Sequence, residues 1–306
     1  MGPIDATPAG GGDKARNRCG VQVHLAEATP EGREMRSSGL IYDVGVNDGV
    51  DSAYYMERGF KVVGIEASPL AAGHLQHRFK KEIEDGNFVL LNVGIAEREG
   101  QFPFWVCVDH PEWSSFDRSF ASRLGCRHHE VLVKTTEFEA IIAEYGIPHY
   151  CKIDIEGNDR ICLEGLTPRT APTYLSVEMG HSNGHESLRR LSELGYDGFK
   201  IISQSTWAQP NRTLSNMAFR LPRLGAKVVL RAEKRIRGVN RVDGWRFSAG
   251  SSGPFGEDTE GSWGNLEDTL SLWRFLRDID RRSGANGLRD WYDIHATRRD
   301  GTSASD

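Results

Sequence analysis

From Leu40 to Ser203 the chain alternates apolar runs of strand length with segments of helical length, and few folds accept that order. Leu40 to Val46 (LIYDVGV), Lys61 to Glu66 (KVVGIE) and Phe88 to Ile95 (FVLLNVGI) read as strands, as does Gln101 to Val108. His149 to Ile155 (HYCKIDI), Thr173 to Glu178 (TYLSVE) and Gly198 to Ser203 (GFKIIS) continue the series. The intervening helices are expected over Asp51 to Arg58, Pro69 to Glu84, Thr136 to Tyr145, Asp159 to Leu166 and Glu186 to Leu194. Near-continuous apolar strands joined through helices are covered on both faces, so the expectation is a Rossmann-like α/β fold built on a mostly parallel sheet. Repetition at a fixed period is missing, which excludes a solenoid.

Composition narrows the class further. A formal net charge of -5 draws the whole molecule to neither nucleic acid nor anionic membrane. The apolar runs are all too short for a transmembrane helix. Met1 to Lys14 lacks the basic-then-apolar order of a secretory signal, and five cysteines are an odd number with no metal-type spacing. Reduced thiols and a cytoplasmic protein are therefore expected. Residues 1–18 read as a flexible arm, 19–204 as the Rossmann-like core and 205–306 as a cap of the same domain.

The first strand runs into Asp43-Val-Gly45-Val-Asn47-Asp-Gly49, and the second ends in Glu66, 23 residues after Asp43. Glycines at a strand-to-helix turn let backbone approach a ligand, and a strand-end acid at this spacing takes ribose hydroxyls. A nicotinamide-binding domain has the same layout. Its glycine string would be G-x-G-x-x-G, however, and here an acid, Asp43, sits inside the strand leading to the turn. A sulfonium cofactor brings a positive charge and a free amino acid instead of a pyrophosphate. Asp43 and the Gly45 amide are expected to serve it.

D-V-G-x-N-x-G-x-x-S at Asp43 to Ser52, N-V-G-I-A at Asn92 to Ala96 and K-I-D-I-E-G at Lys152 to Gly157 resemble the FkbM-type methyltransferases, in order, over roughly Leu40 to Leu166. Val46 and Asp48 depart from residues common there, but the turn is intact. The resemblance implies the class I, S-adenosylmethionine-dependent fold and methyl transfer mainly to oxygen acceptors of sugars, acids and natural products. The candidate cofactor set is Asp43, Gly45, Asn47, Gly49, Ser52, Glu66, Ala67, Ser68, Asn92, Val93, Gly94 and Asp154.

Ligands of an open parallel sheet bind beyond the carboxyl ends of its strands. Asp154, Glu156 and Glu178 fall there, with His181 three residues further on, and these are the candidate catalytic residues. A hydroxyl acceptor needs a base or a divalent cation, whereas a carboxylate acceptor needs neither. Asp154 and Glu178 leave room for a shared magnesium ion. Lys152 either orients a carboxylate or is a solvated strand-end charge, and the other competing readings are plainer: Asp154 as a cap of the next helix, His181 and the pair His128-His129 as surface histidines.

Between Ser205 and Arg246 ten Lys and Arg stand against only Glu233 and Asp243. The glycine-rich Ser251 to Asp258 follows, then an amphipathic helix over Asn265 to Asp280 with Leu266, Leu270, Trp273 and Leu276 on one face. The basic segment and the glycine loop are expected to form an acceptor-binding cap, the glycines letting the loop close over the reaction. Expected partners are a small-molecule or glycan acceptor, anionic if the basic segment binds it; a homodimer is allowed, and neither DNA nor membrane is expected. An RNA methyltransferase using the basic segment, and a non-catalytic binding protein on the same fold, stay open.

Overall fold

A computed structural model describes residues 39–179, 184–210, 241–242, 244–248, 250–283 and 291–298, with isolated positions 221, 225, 228 and 232. The strands are β1 (Leu40–Val44), β2 (Lys61–Ile65), β3 (Phe88–Leu91), β4 (Gly94–Ile95), β5 (Gly100–Cys107), β6 (His128–Thr136), β7 (Tyr150–Ile153), β8 (Tyr174–Glu178), β9 (Gly198–Ser203), β10 (Arg241–Val242), β11 (Trp245–Arg246) and β12 (Tyr292–Thr297). The helices are α1 (Val50–Glu57), α2 (Pro69–Arg78), α3 (Lys80–Glu84), α4 (Arg118–Ala121), α5 (Phe138–Tyr145), α6 (Asp159–Glu164), α7 (Gly184–Glu193) and α8 (Leu266–Ser283). Among the described residues no helix is long and apolar enough to cross a membrane, and Cys107, Cys126, Cys151 and Cys162 are free thiols.

The central sheet has the order β3-β2-β1-β7-β8-β12-β9. The pairings from β3 through to β8 are parallel, and β12 runs antiparallel between β8 and β9. An all-parallel dinucleotide sheet has no such reversed strand. Alternation along β1 divides the core: Tyr42 and Val44 face the layer with α5, α6, α7 and α8, while Ile41 faces the layer with α1 and α2. β1 is buried along its whole length, as expected of a central parallel strand.

Four expectations need correction. Phe88 to Ile95 is not one strand: the chain leaves the central sheet after Leu91, and β4 joins β6 and β5 in a separate three-stranded sheet. β5 belongs to that sheet too, and its partner β6, an exposed ribbon, escaped the sequence reading. The helix expected over Pro69 to Glu84 breaks at Phe79, where φ and ψ leave the helical region. β12 lies in the stretch assigned to the cap, yet it completes the core sheet. A run of only six residues separated from the alternating series carries too little periodicity to mark a central strand.

The glycine-rich stretch expected to close over the reaction is instead fixed against α1. The Asp51 carboxylate accepts the N–H groups of Ser252 (3.0 Å) and Gly253 (3.1 Å), and Tyr55 Oη donates to the Gly253 carbonyl at 2.9 Å. Phe255 stacks on Tyr150 with ring centroids 4.1 Å apart. The amphipathic helix is as expected, with Trp273 and Leu276 buried against the sheet. Most of the basic segment lies outside the described residues; its end supplies the β10–β11 pair.

Candidate functional site

A cavity of about 550 Å³ opens at the carboxyl ends of β1, β2 and β7. Strand order reverses around β1, with β2 and β3 on one side and β7 and β8 on the other, so the crevice lies at the topological switch point. Its size lies within the range of cofactor pockets.

Glu66 follows β2 and is held from both sides. Its Oε2 accepts the N–H of Asn47 at 2.9 Å and its Oε1 accepts that of Ser68 at 2.8 Å. Burial raises its pKa, opposed by those two N–H groups. Each oxygen keeps a further lone pair, which suits a pair of vicinal hydroxyls. The Asn92 side chain donates to the Glu66 carbonyl at 2.8 Å and supports the loop from behind.

Asp43 and Gly45 play other parts than those expected. Asp43 is fully buried and does not reach the cavity. Its carboxylate accepts from Ser52 Oγ (2.6 Å) and Lys152 Nζ (3.0 Å). Register explains this: Asp43 and Lys152 are neighbours on parallel strands, and residues level on adjacent strands share a face. Lys152 Nζ also donates to the Gly45 carbonyl at 2.9 Å and lies 3.7 Å from Asp51 Oδ2, so it is no solvated strand-end charge. The Gly45 N–H donates to the Ile65 carbonyl at 2.9 Å, inside the protein. Gly45 is required for another reason. At φ 88° a Cβ there would sit 1.8 Å from the Asp154 carbonyl oxygen. The turn's glycine thus lets β1 and β7 close together beneath the cavity.

At the other end of the cavity stand Asp154 and Glu156. Burial pushes Asp154 well above the usual carboxylate range, against the pull of Lys152 and helped by Asp293 and Glu156. Burial also raises Glu156, and the Arg123 guanidinium opposes it. Arg123 Nη2 donates to Glu156 Oε2, and the Glu156 carbonyl accepts from Ser115 Oγ at 2.6 Å. Glu156 has φ 50°, a left-handed backbone that costs a non-glycine residue about 1–3 kcal/mol. The apolar wall opposite is Phe104 and Phe116, in edge contact at 5.1 Å, with Phe116 seated over Gly94.

Of the residues expected from sequence, Gly45, Asn47, Glu66, Ala67, Ser68, Val93, Gly94, Asp154 and Glu156 line this one cavity. Asp43, Gly49, Ser52 and Asn92 stand behind it, and Glu178 does not line it. His181 lies outside the described residues. His129, expected as surface, lines the mouth while remaining exposed. The shared magnesium site is not supported: Asp154 faces the cavity without Glu178, which is level with Asp293 on β12. Among the described residues no three His, Cys, Asp or Glu side chains converge as metal ligands. Arg123, Phe104 and Phe116 were missed, because they belong to the β4–β6 insertion, whose fold has no signature in the series.

A methyltransferase FkbM domain matches residues 43–197, about half of the chain. The chain belongs to the FkbM methyltransferase family. It is an S-adenosylmethionine-dependent methyltransferase on the class I fold. No curated protein sequence matches it. Among solved structures, a putative sarcosine dimethylglycine methyltransferase from Galdieria sulphuraria is 9% identical, with a TM-score of 0.35 over 88% of this chain and 81% of that one. A precorrin-6y C5,15-methyltransferase from Geobacter metallireducens GS-15 is 9% identical, with a TM-score of 0.32 over 59% and 77%. Residues 942–1257 of StiE, an O-methyltransferase region, are 8% identical, with a TM-score of 0.36 over 85% and 68%. In this FkbM methyltransferase, one cavity runs from Glu66 to Asp154 and Glu156.

Proposed function

We propose that this methyltransferase acts on a hydroxyl of a small molecule or glycan. One observation carries the reading: Glu66, clamped by two backbone N–H groups, and Glu156, clamped by Arg123, line the same cavity. Glu66 binds the ribose hydroxyls, and the turn at Gly45 and Asn47 gives the rest of the cofactor its floor. When bound, S-adenosylmethionine supplies an electrophilic methyl group on a sulfonium.

At the acceptor end the Glu156 carboxylate, which lines the cavity, disfavours a carboxylate acceptor by like-charge repulsion. A hydroxyl meets the opposite situation. Its proton passes to the Glu156 carboxylate as its oxygen takes the methyl group and the methyl–sulfur bond breaks, its electron pair leaving on the neutral thioether of S-adenosylhomocysteine; the proton then leaves to water. Asp154, which lines the cavity beside Glu156, orients the acceptor oxygen by a hydrogen bond. Positioned proton transfer of this kind is worth about 10²–10⁴ in rate.

The test is incubation with methyl-labelled cofactor and fractionated metabolites, reading the mass gain of one CH2 group in a product. Glu156→Gln should lower turnover about a hundredfold. Its S-adenosylhomocysteine affinity should stay within about twofold of the parent, because Glu66 and not Glu156 meets the ribose. Full turnover by Glu156→Gln, or a carboxylic acid as the methylated product, would overturn the reading.

A further inference from the structure

The segment between β5 and β6 is tied to the acceptor end of the cavity at three points. Phe116 packs over Gly94 so closely that a Cβ there would lie 2.3 Å from the ring. Ser115 Oγ holds the Glu156 carbonyl at 2.6 Å and also accepts the Asp117 N–H at 3.0 Å. Arg123 Nη2 holds Glu156 Oε2. Arg123 is itself confined, its guanidinium carbon lying 4.2 Å from the Phe120 ring centroid and 5.8 Å from that of Trp113.

Stability does not account for this arrangement. The Arg123 side chain is 29% exposed and that of Glu156 13%, so one side of the pair is open to water and its worth to stability is modest. Two non-glycine residues nevertheless take left-handed backbone beside the pair, Glu156 at φ 50° and Leu124 at φ 55°. Leu124 is 93% exposed and gains no packing in return. Backbone held against its preference, at Leu124 with no burial in return, marks a site shaped for a task. The task is visible at the carboxylate. Arg123 occupies Oε2, while Oε1 accepts from no described residue and Glu156 lines the cavity.

We infer that Arg123 is a positioning residue for methyl transfer: stacked on Phe120, it holds one Glu156 oxygen so that the other faces the acceptor hydroxyl. The inference rests on the hydroxyl-acceptor reading above. It gives the β5–β6 segment a definite role, that of fixing the proton-accepting group from outside the parallel sheet. The acceptor need not touch Arg123 at all.

The experiment compares Arg123→Met, Arg123→Lys and Phe120→Leu in the full-length protein. The probes are the metabolite fraction that the parent methylates and S-adenosylhomocysteine. Misaiming a reacting group by an ångström costs up to a hundredfold, so Arg123→Met should lower kcat about tenfold or more at saturating cofactor. The Kd for S-adenosylhomocysteine should stay within about twofold, since Arg123 lies outside the ribose end of the cavity. Arg123→Lys keeps the charge and should recover most of kcat, and Phe120→Leu should fall between the two. If circular dichroism shows Arg123→Met unfolded, the Lys and Leu variants carry the comparison with the parent. An unchanged kcat in Arg123→Met, a cofactor Kd that moves in step with kcat, or an Arg123→Lys no better than Met would overturn the inference. A parent that binds S-adenosylhomocysteine but methylates no fraction fails the hydroxyl reading, and the inference with it. A parent that turns over alongside unaffected arginine variants fails the inference alone.

Discussion

Two glycine-rich stretches, Asp43 to Gly49 and Ser248 to Gly256, look alike as strings of letters and do opposite things. The first ends a central strand and borders the cavity, and its Gly45 lets the Asp154 carbonyl come close. The second packs on α1, accepts Tyr55 and donates two N–H groups to Asp51. Its Gly253, at φ 74°, leaves room for the Trp207 ring, which a Cβ would approach to 2.4 Å. Glycine records a close approach or a left-handed backbone in both. Whether what approaches is a ligand or the protein's own core depends on position relative to the strand ends.

Substitution at the two glycines separates these roles most sharply. Gly45→Ala places a Cβ against backbone that cannot move aside, and we expect a loss above about 4 kcal/mol in urea unfolding, or no folded protein. A Gly45→Ala protein of parental stability would show that the β1–β7 approach is looser than described.

Next in size, Glu66→Ala should leave the fold intact and weaken S-adenosylhomocysteine binding by about 1.5–3 kcal/mol, roughly 10–150-fold in Kd by calorimetry. Parental affinity would remove Glu66 from the cofactor site and with it the first half of the comparison.

Gly253→Ala should cost about 1–2 kcal/mol in unfolding, from the left-handed backbone and the displaced indole. Binding of S-adenosylhomocysteine by the folded fraction should be unaffected. A variant that loses cofactor affinity without losing stability would return this stretch to the role of a closing loop.

The smallest effect is one of pH. Burial raises Asp51 to about 7, with Lys152 opposing it, and raises Asp293 to about 6. Both pKa values are raised, so the folded state favours the protonated carboxyls. Their contribution is complete below about pH 4 and is lost as pH climbs through about 7. The Tm should therefore fall by about 2–4 °C between about pH 5.5 and 8, and Asp51→Asn should shrink that fall. A Tm that drops equally in both proteins would mean that the contact between α1 and the glycine stretch is not what titrates.

How much of this was legible depended on range along the chain. The central-sheet strands β1, β2, β3, β7, β8 and β9 and the placement of Glu66 and Asp154 at strand ends follow from short-range periodicity, and the structure has them there. The misreadings involve distant partners. Asp43 looked free for a ligand because Lys152, which occupies it, is 109 residues away. Ser251 to Asp258 looked free to move because its partner Tyr55 is 198 residues from Gly253. Arg123 drew no notice because its meaning comes from Glu156, on a different element.

By itself the sequence determined the fold class, the glycine turn after the first strand and the strand-end acids, since hydrophobic period and turn chemistry act over a few residues and need no partner to be recognised. Only the tertiary structure decided which carboxylates face the cavity and which are buried in ion pairs. It alone placed β12 between β8 and β9 and brought the β5–β6 segment onto Glu156. Strand register and side-chain pairing join residues far apart in the chain, and neither leaves a local pattern to read.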